Sequence, residues 1–191
     1  MKTKMAYLIV LTSSIGLLTN MIVSLLSESP IISFLSLFKY FTIWSNVFVL
    51  LLFLGKALNW HWIDRLKGGI YINITITMVV YITLLSWTYT PEGLYILSNI
   101  MNHYVTPLLA IGYFIQYENK NFMIEHIALW MIFPIYYLGF ALNYSALTNN
   151  PIYPFFDFIN AGLLRVSLFV IAIFIIYLIL SMGIVKIFSQ K

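Results

Sequence analysis

The sequence predicts an all-α, polytopic membrane protein, with six transmembrane helices in a single domain over residues 1–191 and both termini in the cytoplasm. Three observations lead there. Of 191 residues, 62% are hydrophobic and only 8% are charged, and the mean hydropathy is +0.94. A soluble domain carries about a quarter charged residues, and one with so few would expose more apolar surface than a monomer tolerates. The apolar residues gather into six segments, each ended by charge or turn residues, and most basic residues fall on one side of them. At about 20 apolar residues per crossing, the length admits six or seven spans with short loops and no separate aqueous domain.

The segments run over residues 5–26, 37–54, 70–89, 97–117, 122–144 and 160–188. Lys2 and Lys4 precede the first like the basic end of a secretory signal, but its apolar run exceeds a signal core and lacks a convincing small-residue cleavage site. It is expected to be a retained anchor. The connections at 27–36, 55–69, 90–96, 118–121 and 145–159 are too short to fold alone. With six spans, one side collects Lys2, Lys4, Lys56, Arg65, Lys67, Lys120, Lys186 and Lys191. Lys39 and Arg165 lie on the other side with Glu28, Glu92 and Asp157, so the positive-inside rule places both termini in the cytoplasm.

Other classes are excluded by residue type. No cysteine is present, which removes disulfides, thiolate metal sites and cysteine nucleophiles. The net charge of +4 comes from scattered residues with no cluster able to track a phosphate backbone, so no nucleic-acid partner is expected. The sequence lacks HExxH, a glycine-rich phosphate loop and GxSxG, and His61 and His126 lie far in depth from His103. Neither a metal nor a cofactor is expected. Asn73-Ile-Thr75 and Asn143-Tyr-Ser145 match the glycosylation pattern but lie in or beside spans.

Polar groups inside the spans are the functional candidates, because each is costly in lipid. Lys39, Thr42, Ser45 and Asn46 recur at spacings of three and four, which places them on one face of the second helix. Asn99, Asn102, His103 and Thr106 repeat this in the fourth helix, followed by Pro107. Proline lacks the amide hydrogen that would bond the His103 carbonyl, so the helix should loosen there. Thr42 and His103 each lie five or six residues inside the outer face, about 8 Å deep at 1.5 Å per residue. A hydroxyl and an imidazole at equal depth supply a nucleophile and its base. Asp157 is a candidate to orient the imidazole, Lys39 or Arg165 to stabilise an oxyanion, and Ser45, Asn46 and Tyr153 to support the site. The alternative is packing: Thr42 and Ser45 bonded back to their own helix and Asn46 tying two helices together.

Lys39-Tyr40-Phe41-Thr42, Ser45-Asn46, Asn102-His103 ahead of Pro107, and Tyr153-Pro154-Phe155 together resemble the androgen-induced protein family, whose bacterial relatives include the Pr-six-Pr membrane proteins. The resemblance covers the order and spacing of elements across nearly the whole chain, through short motifs. It implies a multi-pass hydrolase of fatty acid esters of hydroxy fatty acids, with the threonine of the Lys-Tyr-x-Thr motif, Thr42, as nucleophile and His103 as its partner. The family pattern has two histidines ahead of the proline, and this chain has one. The expected function is therefore a lipid-ester hydrolase in the cell membrane, a bacterial plasma membrane, acting on membrane lipids or lipid esters. A small-solute transporter or channel and a non-catalytic structural membrane protein are the alternatives. The apolar inner halves of the second and fourth helices argue for a pocket open to one side rather than a pore.

Overall fold

The computed structural model describes residues 1–119 and 121–188, with His61 described by its backbone alone. The all-helical expectation is borne out: no strand occurs among the described residues. Among the described residues eight α-helices follow in order: α1 (Lys2–Leu25), α2 (Pro30–Leu37), α3 (Phe41–Leu58), α4 (Lys67–Val80), α5 (Tyr95–Ile100), α6 (Thr106–Tyr117), α7 (His126–Thr148) and α8 (Gly162–Phe188). Short 3-10 turns occupy His61–Arg65 and Pro154–Phe156, and π-turns occupy Tyr81–Leu85 and Met101–Val105. The chain forms two compact units, Met1–Asn119 and Lys120–Lys191.

Among the described residues five helical runs are long and apolar enough to cross a membrane: Lys2–Leu25, Phe41–Leu58, Lys67–Leu85, His126–Thr148 and Gly162–Phe188. In α8 the mean hydropathy of the best window is 3.0, yet only 17% of that window is buried. Leu163, Leu164 and Ile179 are among its exposed residues. A helix apolar all round and this exposed is compatible with lipid as its solvent. Serine and threonine fit this setting by turning inward: Thr75, Thr77, Thr83 and Ser86 each donate to the carbonyl four residues back, so their hydroxyls stay satisfied within the helix.

In the first unit, α1 packs against α2, α3, α5, α6 and the Met101–Val105 turn, while α4 packs on α3 and α6. Ile9, Val49, Phe53, Ile74 and Tyr113 form the shared core, with the Phe53 and Tyr113 rings edge to face at 4.8 Å. Two expectations change here. Most of the connection at 27–36 is taken up by α2, opened by Pro30 at its first turn and reaching Leu37. Its Leu37 packs with Leu17 and Ile43, so an apolar stretch too short to span folds back onto the bundle. The fourth apolar segment is realised in three pieces, α5, the π-turn and α6.

The second unit joins α7 to α8 through the Pro154–Phe156 turn. Phe155 stacks on Phe169 of α8 at 4.2 Å, which seats the turn on that helix. Pro134 interrupts the hydrogen-bond ladder inside α7.

Candidate functional site

Thr42 stands in the first turn of α3, where its local options are few. The carbonyl four residues back, that of Phe38, accepts the Trp44 indole N–H at 2.7 Å. The Thr42 hydroxyl has no hydrogen-bond partner among the described residues. Asn46, one turn on and fully buried, spends its amide group twice: Nδ2 donates to the Thr42 carbonyl at 2.9 Å and to the Asn102 carbonyl at 3.1 Å. The backbone at Thr42 is thereby pinned to the backbone immediately before His103.

His103 sits in the Met101–Val105 π-turn. The loosening expected from Pro107 takes this form: the Thr106 N–H bonds the Met101 carbonyl, five residues back, and the helix widens at the imidazole. A second π-turn, Tyr81–Leu85, faces it. The Tyr81 and His103 rings stack at 3.7 Å and 19°. Asn102 lies against α1, where Gly16 makes room for it: a Cβ at Gly16 would meet the Asn102 side-chain oxygen and lie 2.8 Å from its Cγ. One turn further, the Thr106 hydroxyl donates to that of Thr12 at 3.1 Å. The imidazole is thus held by a ring, a π-turn and a glycine seat.

The packing alternative holds only for Asn46, which does tie two elements together. Ser45 is fully buried, and its hydroxyl has no partner among the described residues. The same is true of the side-chain oxygens of Asn46, Asn73, Asn99 and Asn102 and of His103 Nδ1. Buried polar atoms are almost always satisfied, so a group of them in one helical unit calls for water or a polar ligand. No direct hydrogen bond joins Thr42 to His103 among the described residues.

The other candidates lie as follows. Lys39 ends the turn before α3 with its ammonium 5.3 Å from the Tyr40 ring. Tyr153, Asp157 and Arg165 belong to the second unit. Tyr153 stacks on Phe155 at 5.1 Å, and Arg165 is exposed near the start of α8. Asp157 binds its own turn: Oδ1 accepts the Ile159 and Asn160 amides at 3.0 and 2.9 Å, and Oδ2 accepts Asn160 Nδ2 at 2.6 Å. The Asn160 amide, chief among these, holds the carboxyl below its usual range.

A second polar cluster escaped the sequence reading. At the far end of α3 and α6, Lys56 Nζ meets both Glu118 oxygens at 2.9 and 2.8 Å, and the Tyr71 hydroxyl donates to Glu118 at 2.6 Å. Lys67 lies 3.5 Å from the same carboxylate and donates to the Asn119 carbonyl. Burial alone would raise the Glu118 pKa, but the Lys56 charge and the bonds from Lys56 and Tyr71 outweigh it and hold the carboxyl low. Lys56 and Lys67 are therefore more than markers of sidedness. The available signal was Glu118, an acid at the end of the fourth apolar segment, on the side expected to carry Lys56 and Lys67.

Among the described residues no group of three His, Cys, Asp or Glu is placed to hold a metal ion. Fold and site together define a class, an all-helical protein with five helices able to cross a membrane and a hydroxyl, an imidazole and several carboxamides set among its apolar helices. Comparison of the chain with protein-family models, curated proteins and solved structures found no match.

Proposed function

We propose that the protein is a membrane lipid-ester hydrolase with Thr42 as nucleophile and His103 as base. The observation that carries this reading is the Asn46 amide, which bonds the Thr42 carbonyl and the carbonyl preceding His103 together. Its support is geometric preorganisation: two residues distant in sequence are tethered by a buried side chain whose only donors serve them. In the reaction the Thr42 oxygen attacks the ester carbonyl while the imidazole takes the hydroxyl proton. The resulting oxyanion draws on Lys39 and on the N-terminal end of α3, where the helix dipole favours negative charge. Collapse expels the alcohol, which receives the proton from the imidazolium. Water, deprotonated by the same imidazole, then releases the carboxylic acid from Thr42.

The substrate class follows from place and from the resemblance to the androgen-induced protein family. With the run over 95–117 as a sixth crossing and both termini in the cytoplasm, the polar groups lie near the outer acyl-headgroup boundary of a bacterial plasma membrane, where an ester carbonyl resides. A fluorophosphonate should label the purified protein and fail to label Thr42→Ala, and His103→Ala should lose about 100-fold or more of ester hydrolysis. Asn46→Asp keeps the size but removes the donors, and should slow labelling of Thr42. Undiminished labelling and hydrolysis by Thr42→Ala would overturn the assignment.

A solute path is the second reading, favoured by one observation: buried polar groups are not confined to one depth. Asn73 and Thr77 occupy the middle of α4, and the Glu118 cluster lies at its far end. Flux of a solute through reconstituted vesicles, abolished by Asn73→Leu but not by Thr42→Ala, would favour this reading over hydrolysis.

A further inference from the structure

The Glu118 cluster does not stand alone. Beside it a pocket of about 330 Å³ opens between the start of α1, the end of α3 and the following turn. Its floor is Phe53, Gly55 and Tyr113, and its polar wall includes Lys2, Lys56 and Asn59, with Tyr7 and Trp60 at the aromatic side. Asp64 is the one acid among the lining residues.

We propose that this pocket binds the phosphate headgroup of an anionic phospholipid. Three features select an anion. Lys56 is held in place by Glu118 and by the face of Tyr113, 5.7 Å from its ammonium, so its position is fixed before any ligand arrives. Lys2 supplies a second cation to the lining. The first turn of α1, which begins at Lys2, adds amides without helical acceptors. At the competing negative end of α3 one acceptor is already taken, the Gly55 carbonyl, which the Trp60 N–H bonds at 2.8 Å.

Two further features select a lipid as the source of the phosphate. The pocket lies at the ends of two helices able to span a membrane, at the level where headgroups sit. Tyr7 and Trp60 are exposed there, as aromatic residues of an interface are, and the apolar floor accepts the glycerol and first acyl carbons. The volume is that of a small-ligand pocket rather than of a single ion.

The test is thermal stability and native mass spectrometry of detergent-purified full-length protein titrated with phosphatidylglycerol, phosphatidylcholine or inorganic phosphate. Phosphatidylglycerol should raise the melting temperature and be retained on the protein, while phosphatidylcholine does neither. Lys56→Gln should weaken phosphatidylglycerol binding roughly tenfold, the loss of one charge-assisted hydrogen bond. Because Lys56→Gln also disturbs Glu118, Lys2→Glu on the exposed rim provides a second variant that leaves the cluster intact and should weaken binding similarly. Thr42→Ala should bind as the wild type does, so this result is independent of hydrolysis. Equal response to both lipids, or unchanged binding in Lys2→Glu and Lys56→Gln, overturns the proposal. An equal response to inorganic phosphate overturns the lipid as the source.

Discussion

The Tyr177 hydroxyl donates to the Trp130 carbonyl at 2.9 Å, and that carbonyl is the one Pro134 leaves without its helical donor. The ring of Pro134 has no N–H to offer four residues back, so α7 would carry an open acceptor in an apolar setting. Tyr177, 2% exposed on α8, closes it and joins the two helices of the second unit at the break.

Removing that donor should therefore cost more than a surface bond. Tyr177→Phe is expected to destabilise the protein by about 1–2 kcal/mol. In a Pro134→Ala background, where an amide again reaches Trp130, the same substitution should cost much less. A double-mutant cycle read by thermal unfolding measures the coupling, and additive effects would show that the bond does not serve the proline break.

Gly16 is required by Asn102. Gly16→Ala drives a methyl group into the Asn102 side chain and to 3.0 Å from Met101 Cβ, so either α1 or the π-turn bearing His103 must shift. A loss of about 1–3 kcal/mol is expected, the usual cost of overpacking. Gly139 in α7 has nothing within 4 Å of an added Cβ, and Gly139→Ala should be neutral or stabilising by up to about 1 kcal/mol. Equal effects of the two substitutions on the melting temperature would contradict the glycine seat.

Glu118 governs an acid-side transition. Its carboxyl pKa is lowered in the folded protein, so its contribution to stability is fully present above the unfolded value, about 4.3, and is lost as pH falls through the folded value. Glu118→Gln should remove that part of the pH dependence. At neutral pH it should also cost about 3 kcal/mol, because the buried Lys67 and the partly buried Lys56 lose their carboxylate partner. Unfolding measured from pH 7 downward for both proteins checks the sign and the size.

Asp157→Ala separates a turn from a catalytic group. The carboxylate organises the turn ahead of α8, and its pKa is likewise lowered, so the turn should loosen as pH falls below the ordinary carboxylate range. The expected outcome is a lower melting temperature with unchanged ester hydrolysis per folded molecule. Lost hydrolysis at unchanged stability would instead give Asp157 the role of orienting the imidazole.

Much of this was legible in the chain itself. Composition and apolar run length predict an all-helical chain with several helices able to cross a membrane, because lipid accepts only backbone that satisfies its own hydrogen bonds. The spacing of Thr42, Ser45 and Asn46, and the histidine ahead of Pro107, placed the polar stripes and the loosened helix through purely local geometry. Tertiary structure decided the rest. That α2 forms within a presumed connection depends on Leu17 and Ile43 offering a surface for it. The stacking of Tyr81 on His103, the seat of Asn102 on Gly16 and the convergence of Lys56, Tyr71 and Glu118 depend on which helix faces which. Hydropathy is nearly uniform around these helices, so their sequence marks how far each one runs through an apolar medium but not how it is rotated. Rotation is chosen by the few contacts, steric and polar, that only the packed bundle can satisfy.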